Sequence, residues 1–279
     1  MLFGIAIFAT EYTMHPVDLA RALEERGFES LWLPEHTHIP VNRLSPWPRG
    51  KHLPKEYWHT YDPFIALTAA AITTTRLRIA TGICLIVERD PITTAKEVAS
   101  LDQLSGGRFI FGIGGGWNAE EMKNHGTSFK KRWGVLRERI LAMKEIWTQE
   151  EAEFHGEFVN FDRIWSHPKP IQKPHSPILM GGDGPTTFDR VIEFCNGWIP
   201  IGGLEPADMV EKIAVLRQRA EVAGRDPKQV SVSIYSAKPE QRTVEELEKA
   251  EVERLIFRLS SADDQTLLPL LDKYATLIR

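Results

Sequence analysis

The strongest constraint on the fold is an alternation of short apolar segments with amphipathic ones along the whole chain. Each apolar segment has the length and composition of a buried strand, and a segment with helical periodicity follows it. Strands flanked by helices form a parallel sheet whose outer face is covered. The predicted strands are 3–9, 30–34, 77–84, 108–113, 178–181, 197–201, 230–235 and 254–259, and the predicted helices are 15–26, 63–72, 91–104, 131–149, 186–194, 206–223, 243–251 and 264–278.

Eight such units predict an α/β fold of the (β/α)8 TIM-barrel type, with residues 1–279 in a single domain. An open, doubly wound sheet is the alternative, because a sequence shows the units but not the closure of the sheet. Two segments stand outside the repeat. They are a long Pro- and Trp-rich loop at 40–61, after the second strand, and a short predicted hairpin at 153–161.

The composition narrows the class of protein. Hydrophobic residues make up 42% of the chain and charged residues 26%, which is typical of a globular protein with a full core. The net charge of −4 argues against a nucleic-acid partner. Cys84 and Cys195 lie far apart, which predicts no disulfide framework and favours the cytoplasm. The apolar N-terminus is too short for a membrane span and lacks the basic region of a signal peptide.

In a barrel the ligand site lies at the C-terminal ends of the strands, and glycine turns occupy several of these ends. Gly114, Gly115 and Gly116 follow one strand and precede Trp117. Glycine lets a ligand approach the backbone closely, and consecutive N–H groups suit an anionic group. A tight turn that closes a strand is the alternative.

A second glycine turn follows the strand 178–181. Gly181, Gly182, Asp183 and Gly184 precede a predicted helix, whose free N–H groups suit a phosphate. A plain turn with a capping residue explains the same pattern. Two glycine turns at one end of a barrel favour a ligand that carries phosphate. Further residues at this end are Gly82, Ile83, Cys84 and Leu85, after the third strand, and Gly202 and Gly203, after the sixth.

The sequence Glu-His-Thr-His follows the second strand and supplies Glu35, His36 and His38. On an extended segment the two histidines point to opposite faces, so we expect one of them to face the pocket. No dense cluster of carboxylates or HxxxH pair accompanies them, so no metal site is predicted. A histidine here suits proton transfer or hydrogen bonding, and a histidine packed in the core is the alternative.

The loop 40–61 is long enough for a functional lid. Trp47 and Trp58 offer large faces to an apolar or aromatic substrate, and Arg43, Arg49 and Lys51 offer positive charge. The alternative is a solvated loop that packs on a neighbouring subunit.

Together these pieces resemble the bacterial-luciferase-like family of flavin- and coenzyme F420-dependent oxidoreductases. The resemblance lies in LWLPEHTHIP at 31–40, in the stretch 61–121 that ends GGRFIFGIGGGWNAEE, and in ILMGGDGP at 178–185. These pieces stand in the order and spacing of that family. The last 80 or so residues resemble it only in their alternation of strands and helices.

The resemblance implies a (β/α)8 barrel that binds coenzyme F420, or alternatively FMN, at the top of the barrel. His36 takes the place of the pocket histidine, and 82–85 match a strand end where the family often has a non-prolyl cis peptide. The glycine turns would hold the cofactor. Trp117 stands where the sugar-phosphate dehydrogenase branch has a catalytic Glu, which argues against that activity. The resemblance also implies a homodimer.

The predicted function is hydride transfer between F420 or FMN and a small organic substrate, possibly as a monooxygenase, with His36 as the catalytic residue. Glu35, His38, Trp47 and Trp58 are the predicted substrate contacts. The alternative is a catalytically silent barrel of the same family that binds a cofactor or ligand without turnover. A phosphate-binding aldolase or isomerase also fits the fold but lacks an obvious Lys at a strand end.

Overall fold

The computed structural model describes residues 1–201, 203 and 205–278. The strands are β1 (Leu2–Ala6), β2 (Ser30–Leu33), β3 (Arg78–Thr81), β4 (Cys84–Leu85), β5 (Phe109–Gly114), β6 (Ala152–His155), β7 (Asn160–Ile164), β8 (Ile178–Gly181), β9 (Gly197–Ile199), β10 (Ser231–Tyr235) and β11 (Arg254–Arg258). The helices are α1 (Pro16–Glu25), α2 (Glu56–His59), α3 (Pro63–Ile72), α4 (Pro91–Leu104), α5 (Ala119–Asn124), α6 (Arg132–Thr148), α7 (Thr187–Phe194), α8 (Pro206–Val222), α9 (Gln241–Lys249) and α10 (Asp264–Ala275), with 3₁₀ turns at Ile86–Glu88 and Pro227–Gln229.

The eight predicted strand units close into a parallel barrel. Its order is β1, β2, β3, β5, β8, β9, β10 and β11, and β11 pairs back onto β1 with Leu2 opposite Arg254. The closing pair β3–β5 places Ile79 opposite Phe109. The predicted (β/α)8 barrel is therefore confirmed, and the open doubly wound sheet is excluded.

The strands are apolar on both faces because each face is buried. One set of side chains fills the barrel interior and consists of Ala6, Trp32, Ala80, Ile110, Leu179, Ile199 and Ile256. The larger core lies between the strands and the surrounding helices. In β5 all six residues are buried, as expected for a central parallel strand.

Two helix starts match the sequence prediction. Asp62 caps α3 by accepting a hydrogen bond from the Phe64 N–H at 2.9 Å, and Asp90 caps α4 by accepting one from the Thr93 N–H at 2.7 Å. A proline follows each aspartate at the first helical position.

Two insertions surround the barrel. The predicted hairpin is present and is longer than expected, with antiparallel strands β6 and β7. The loop 40–61 contains the short helix α2 and joins the barrel through a bridge between Thr10 and Thr60.

Candidate active site

A cavity of about 360 Å³ opens at the C-terminal ends of the barrel strands. Its wall is mainly apolar and aromatic, with glycines along one side. The lining residues are Phe8, Pro34, Glu35, His36, Pro48, Arg49, Tyr57, Gly82, Ile83, Leu85, Gly114, Gly115, Gly116, Trp117, Trp133, Gly181, Gly182, Asp183, Gly184, Thr187, Ile199, Ile201, Tyr235 and Arg258.

Ile83 lies on the floor of the cavity, after a cis peptide bond between Gly82 and Ile83. The neighbouring strands carry glycine where they meet this side chain. A Cβ atom on Gly114 would lie 2.0 Å from the Ile83 Cδ1, and one on Gly181 would lie 2.9 Å from the Ile83 Cγ2. The glycines therefore leave room for Ile83 and keep the adjacent backbone open to the cavity.

The glycine turn after β5 also contains positions where a Cβ atom would clash with a neighbouring side chain. A Cβ atom on Gly115 would lie 2.6 Å from the Trp133 ring, and Gly116 has a φ of +64°, which L side chains rarely adopt. Trp117 follows on the wall, and Asn118 caps α5 by accepting a hydrogen bond from the Glu121 N–H at 3.3 Å. This turn therefore directs the first turn of α5 toward the back of the cavity.

His36 lies on the cavity wall and is held by Glu121. The ring Nδ1 is 2.8 Å from Oε2 of Glu121, which is fully buried. The ring also contacts Phe8, Tyr57 and Trp117 at centroid distances of 6.5, 5.2 and 5.9 Å. Among the described residues, Nε2 has no hydrogen-bond partner, so it is the nitrogen that can serve a ligand.

A second carboxyl, that of Glu88, is buried 3.9 Å from Nε2 of His125. Glu88 ends the 3₁₀ turn after β4, and its side chain is 1% exposed. Burial, with the negative charges of Glu121 and Glu35 as smaller contributions, raises the pKa of Glu88 to about 9. Glu88 is therefore protonated at neutral pH.

Glu35 also lines the cavity, but the protein itself binds its carboxylate. Oε2 accepts a hydrogen bond from the Leu85 N–H at 2.6 Å, and Oε1 accepts one from Nε of Arg89 at 2.6 Å. Arg89 bonds Asp62 and Glu97 as well. Glu35 thus fixes β4 and the 3₁₀ turn against the end of β2.

The second glycine turn connects β8 to α7. The Gly184 N–H donates a hydrogen bond to the Thr187 hydroxyl at 3.0 Å, and the Asp183 carboxylate pairs with Lys212 on α8. Gly182 has a φ of +109°. Thr187 and the turn line the cavity.

The loop 40–61 covers one edge of the cavity and is anchored on α5. Glu120 accepts hydrogen bonds from the Leu44 and Ser45 N–H groups at 3.0 and 3.3 Å, and the Ser45 hydroxyl accepts one from the Ala119 N–H at 3.0 Å. The Arg43 guanidinium stacks over the Trp117 ring at 5.5 Å. The loop therefore supports the Trp117 wall and adds Pro48, Arg49 and Tyr57 to the lining.

The sequence of this chain matches a known protein family over most of its length. Residues 9–264 match the family described as luciferase-like monooxygenases. The chain belongs to this family. An uncharacterized protein of Mycobacterium tuberculosis is 42% identical over 230 residues, which cover 81% of this chain and 80% of that protein.

Two solved structures have the same fold. The monooxygenase RslO1 from Streptomyces bottropensis has a TM-score of 0.81 at 20% identity, with 100% of this chain and 98% of that one covered. An F420-dependent secondary alcohol dehydrogenase in complex with an F420–acetone adduct has a TM-score of 0.76 at 18% identity, with the same coverage. Relatives of this chain use F420 or FMN.

Most of the residues predicted from the sequence lie around this one luciferase-like cavity. Those that line it are Glu35, His36, Gly82, Ile83, Leu85, Gly114, Gly115, Gly116, Trp117, Gly181, Gly182, Asp183 and Gly184. Gly202 lies outside the described residues.

Four predicted site residues do not line the cavity. Cys84 is buried in the core, and burial raises the pKa of its thiol well above its ordinary value. The His38 ring contacts Thr37 and Asn124 on the outer side of the segment. Trp47 packs edge-on against Tyr57, and Trp58 is 49% exposed.

Several lining residues are not predicted by the sequence pattern. Phe8, Trp133, Tyr235 and Arg258 all face the cavity. The position of Tyr235 and Arg258 at the last residue of their strands is a signal that could have identified both. Burial raises the pKa of Tyr235 to about 12, so its phenol stays neutral and can donate a hydrogen bond.

The described part of the chain contains no group of three or more His, Cys, Asp or Glu side chains arranged to hold a metal ion. None of its helices is both long enough and apolar enough to cross a membrane.

Proposed function

We propose that this luciferase-like protein is an oxidoreductase that uses coenzyme F420, with FMN as the alternative cofactor, and acts on a small organic substrate. The observation that carries the proposal is the set of glycines in the cavity wall beside a buried histidine, His36, whose Nε2 has no hydrogen-bond partner among the described residues. When bound, F420 or FMN would supply the hydride donor or acceptor. The chain supplies orientation, exclusion of water and a proton at a defined atom.

The residues of the cavity fit such a cofactor. Side chains at Gly114, Gly115 and Gly181 would fill the space next to Ile83 and Trp133, and their absence leaves a flat backbone surface for a ring system. The turn at 181–184 and Thr187 would hold a phosphate, as N–H groups and hydroxyls near a helix start can do. Arg49 lies at the mouth, where it suits the negatively charged tail of F420.

The remaining wall favours an apolar or aromatic substrate. Phe8, Tyr57 and Trp117 surround the His36 ring, and Tyr235 adds a neutral phenol. In this arrangement His36 would hold or move a proton at Nε2 while Glu121 fixes the ring through Nδ1. Glu35 would position β4 rather than contact the substrate.

Titration of the purified protein with F420, and separately with FMN, tests the cofactor by tryptophan fluorescence. Trp117 and Trp133 line the cavity and should be quenched on binding. Trp117→Phe should reduce the signal, and Trp58→Phe, at an exposed site outside the cavity, serves as the matched control. Stronger binding of FMN than of F420 would favour an oxygen-dependent monooxygenase, and binding of neither would favour a silent barrel.

The role of His36 is tested by His36→Ala. We expect turnover to fall by about a hundredfold, which is typical for loss of a general acid or base, while cofactor affinity stays largely unchanged. His38→Ala is the matched control, because its ring lies outside the cavity. Equal losses of turnover and cofactor affinity in His36→Ala would contradict the assignment.

The protein would act as a cytoplasmic homodimer. Both thiols, Cys84 and Cys195, are free and buried, which suits a reducing compartment. Three apolar side chains on the adjacent helices α3 and α4 are exposed and would form part of a subunit contact. They are Ile65, Ile72 and Leu104. Light scattering of the purified protein tests the dimer, and a monomer at all concentrations would exclude it.

A further inference from the structure

Two arginines stack on Trp133, a side chain of the cavity wall. The Arg190 guanidinium lies 3.9 Å from the centre of the Trp133 ring, and the Arg132 guanidinium lies 4.9 Å from it. Arg132 also lies 3.7 Å from the centre of the Phe129 ring. Because both guanidinium groups contact one ring, two positive charges lie close together next to the cavity wall, where they repel each other.

The acidic side chains next to Arg190 on α7 are bound by other cations. Asp189 pairs with Arg219 at 3.3 Å, and Glu193 pairs with Arg137 at 2.6 Å. Each of these acids is therefore already shared with a second arginine. Among the described residues, the side chain of Arg190 forms no hydrogen bond or ion pair, and its only recorded contact of this kind is the stack on Trp133.

The hydrogen-bonding capacity of Arg132 is only partly used. Its Nη1 donates a hydrogen bond to the Phe129 carbonyl at 2.7 Å, but its Nε is buried and has no partner among the described residues. A buried donor of a charged group that lacks an acceptor is unfavourable. The two arginines therefore have both charge and donors available for an anion.

Helix α7 and Trp133 connect these arginines to the two glycine turns of the cavity. Thr187 lies in the first turn of α7 and lines the cavity, and Arg190 follows three residues later, on the same side of the helix. Trp133 lies against Gly115, where a Cβ atom would be 2.6 Å from its ring. An anion bound at the turn 181–184 would thus lie on the side of α7 that carries Arg190.

We infer that Arg132 and Arg190 form an anion-binding subsite beside Thr187, and that its ligand is the phosphate group in the side chain of a flavin or deazaflavin. The Thr187 hydroxyl and the turn would orient the phosphate, and the two guanidinium groups would neutralise it. Arginine suits this task because its planar group donates paired hydrogen bonds to phosphate oxygens. The inference rests on the proposed function only for the molecule that carries the phosphate.

Binding of FMN and of riboflavin to the purified protein tests the inference, because riboflavin is FMN without its phosphate. Tryptophan fluorescence measures both dissociation constants. Arg190→Gln and Arg132→Gln should each reduce the preference for FMN over riboflavin by about tenfold. Arg190→Lys should keep part of the preference, since it keeps the charge. Arg242→Gln is the matched control, because it removes one positive charge from an exposed pair on α9 and should leave the preference unchanged.

F420 and its deazariboflavin core without the phosphate give the same comparison for the other cofactor. Whichever cofactor binds is compared with its phosphate-free form. Equal losses of affinity for both forms in Arg190→Gln would show that the arginine only holds Trp133 in place, and would overturn the inference. A wild type that binds the two forms equally well, or variants that keep the full preference, would overturn it as well.

A titration with inorganic phosphate separates this inference from the proposed function. If the wild type binds neither F420 nor FMN, the proposed function fails, and phosphorus NMR of the cofactor-free protein then decides the inference alone. Saturable binding of phosphate that is lost in Arg190→Gln and retained in Arg242→Gln would support the subsite. Absence of saturable binding in the wild type would overturn it.

Discussion

At the scale of the residue, the raised pKa of Glu88 predicts how the free energy of unfolding depends on pH. Burial, together with the charges of Glu121 and Glu35, raises its pKa to about 9, whereas in the unfolded chain the pKa is close to that of an ordinary Glu. At a pH between these two pKa values, Glu88 binds a proton in the folded state but not in the unfolded state. The free energy of unfolding contributed by this group therefore decreases as the pH rises.

Glu88→Gln removes this titration and should stabilise the protein increasingly as the pH rises from about 5 to about 9. The gain should approach about 1.4 kcal/mol per pH unit at most and vanish at low pH. Urea unfolding at several pH values measures it, with Glu157→Gln, which changes only an exposed pair with Lys131, as the comparison. Parallel stability profiles for Glu88→Gln and the wild type would contradict the pKa shift.

The sequence identifies some of these residues and not others, for a physical reason. His36 and the glycines at 114–116 and 181–184 stand directly at strand ends, so the barrel rule places them at the cavity. Glu88 and Glu121 lie behind the lining, and only folding brings them together, because they come from the turn after β4 and from α5. His38 and Trp58 have suitable side chains, but local backbone direction turns them away from the cavity.

At the scale of the element, the hairpin of β6 and β7 is attached to the barrel by one carboxylate of α6. The oxygens of Glu138 accept hydrogen bonds from the N–H groups of Glu157, Phe158 and Val159 at 3.0, 2.6 and 3.0 Å. Gly156 lies so close that a Cβ atom would be 2.3 Å from Oε2 of Glu138. The turn of the hairpin is therefore shaped around this side chain.

Glu138→Ala should release the hairpin turn and lower the free energy of unfolding by about 1–3 kcal/mol, because three N–H groups, two of them part-buried, lose a charged acceptor. Hydrogen exchange should show lost protection at 157–159 while the barrel strands keep theirs. Glu157→Ala, which removes only an exposed pair with Lys131, should change stability by about 0.5 kcal/mol or less. Unchanged protection at the turn in Glu138→Ala would show that other contacts hold it.

Elements with strong local signals were predicted, and elements that depend on tertiary contacts were not. The caps Asp62 and Asp90 with their following prolines mark α3 and α4 from the sequence alone. Helices α2 and α5 have only four and six residues, too few for intrinsic helical stability. Helix α5 depends instead on Asn118 and on the Ser45 hydroxyl from the loop 40–61.

At the scale of the whole molecule, closure of the barrel brings together residues that are far apart in the sequence. The count of eight units could be read from the chain, but the pairing of β1 with β11 and its register could not, because β1 and the three central residues of β11 are apolar and carry no mark of their partner. The interior side chains that meet across the barrel come from seven strands, so no local pattern reveals them.

Arg254 provides a buried polar contact near this closure. Its side chain is 1% exposed, and the guanidinium donates to both oxygens of Glu29 at 2.7 Å and to the Ser233 hydroxyl at 2.9 Å. It stacks over the Trp32 ring at 5.7 Å. The side chain therefore joins β11 to β10 and to the segment before β2, at the end of the barrel where the strands begin.

Arg254→Leu should lower the free energy of unfolding by about 3–5 kcal/mol, because it leaves Glu29 without its partner in a largely buried position. Arg254→Lys should recover only part of the loss, since an ammonium group cannot form the two-pronged contact with a carboxylate. Arg242→Ala, which breaks an exposed pair with Glu246 on α9, is the control and should cost about 0.5 kcal/mol or less. Urea unfolding followed by near-ultraviolet circular dichroism measures all three. If Arg254→Leu proves as stable as Arg242→Ala, apolar packing alone closes the barrel, and the arginine serves only to satisfy the carboxylate beside it.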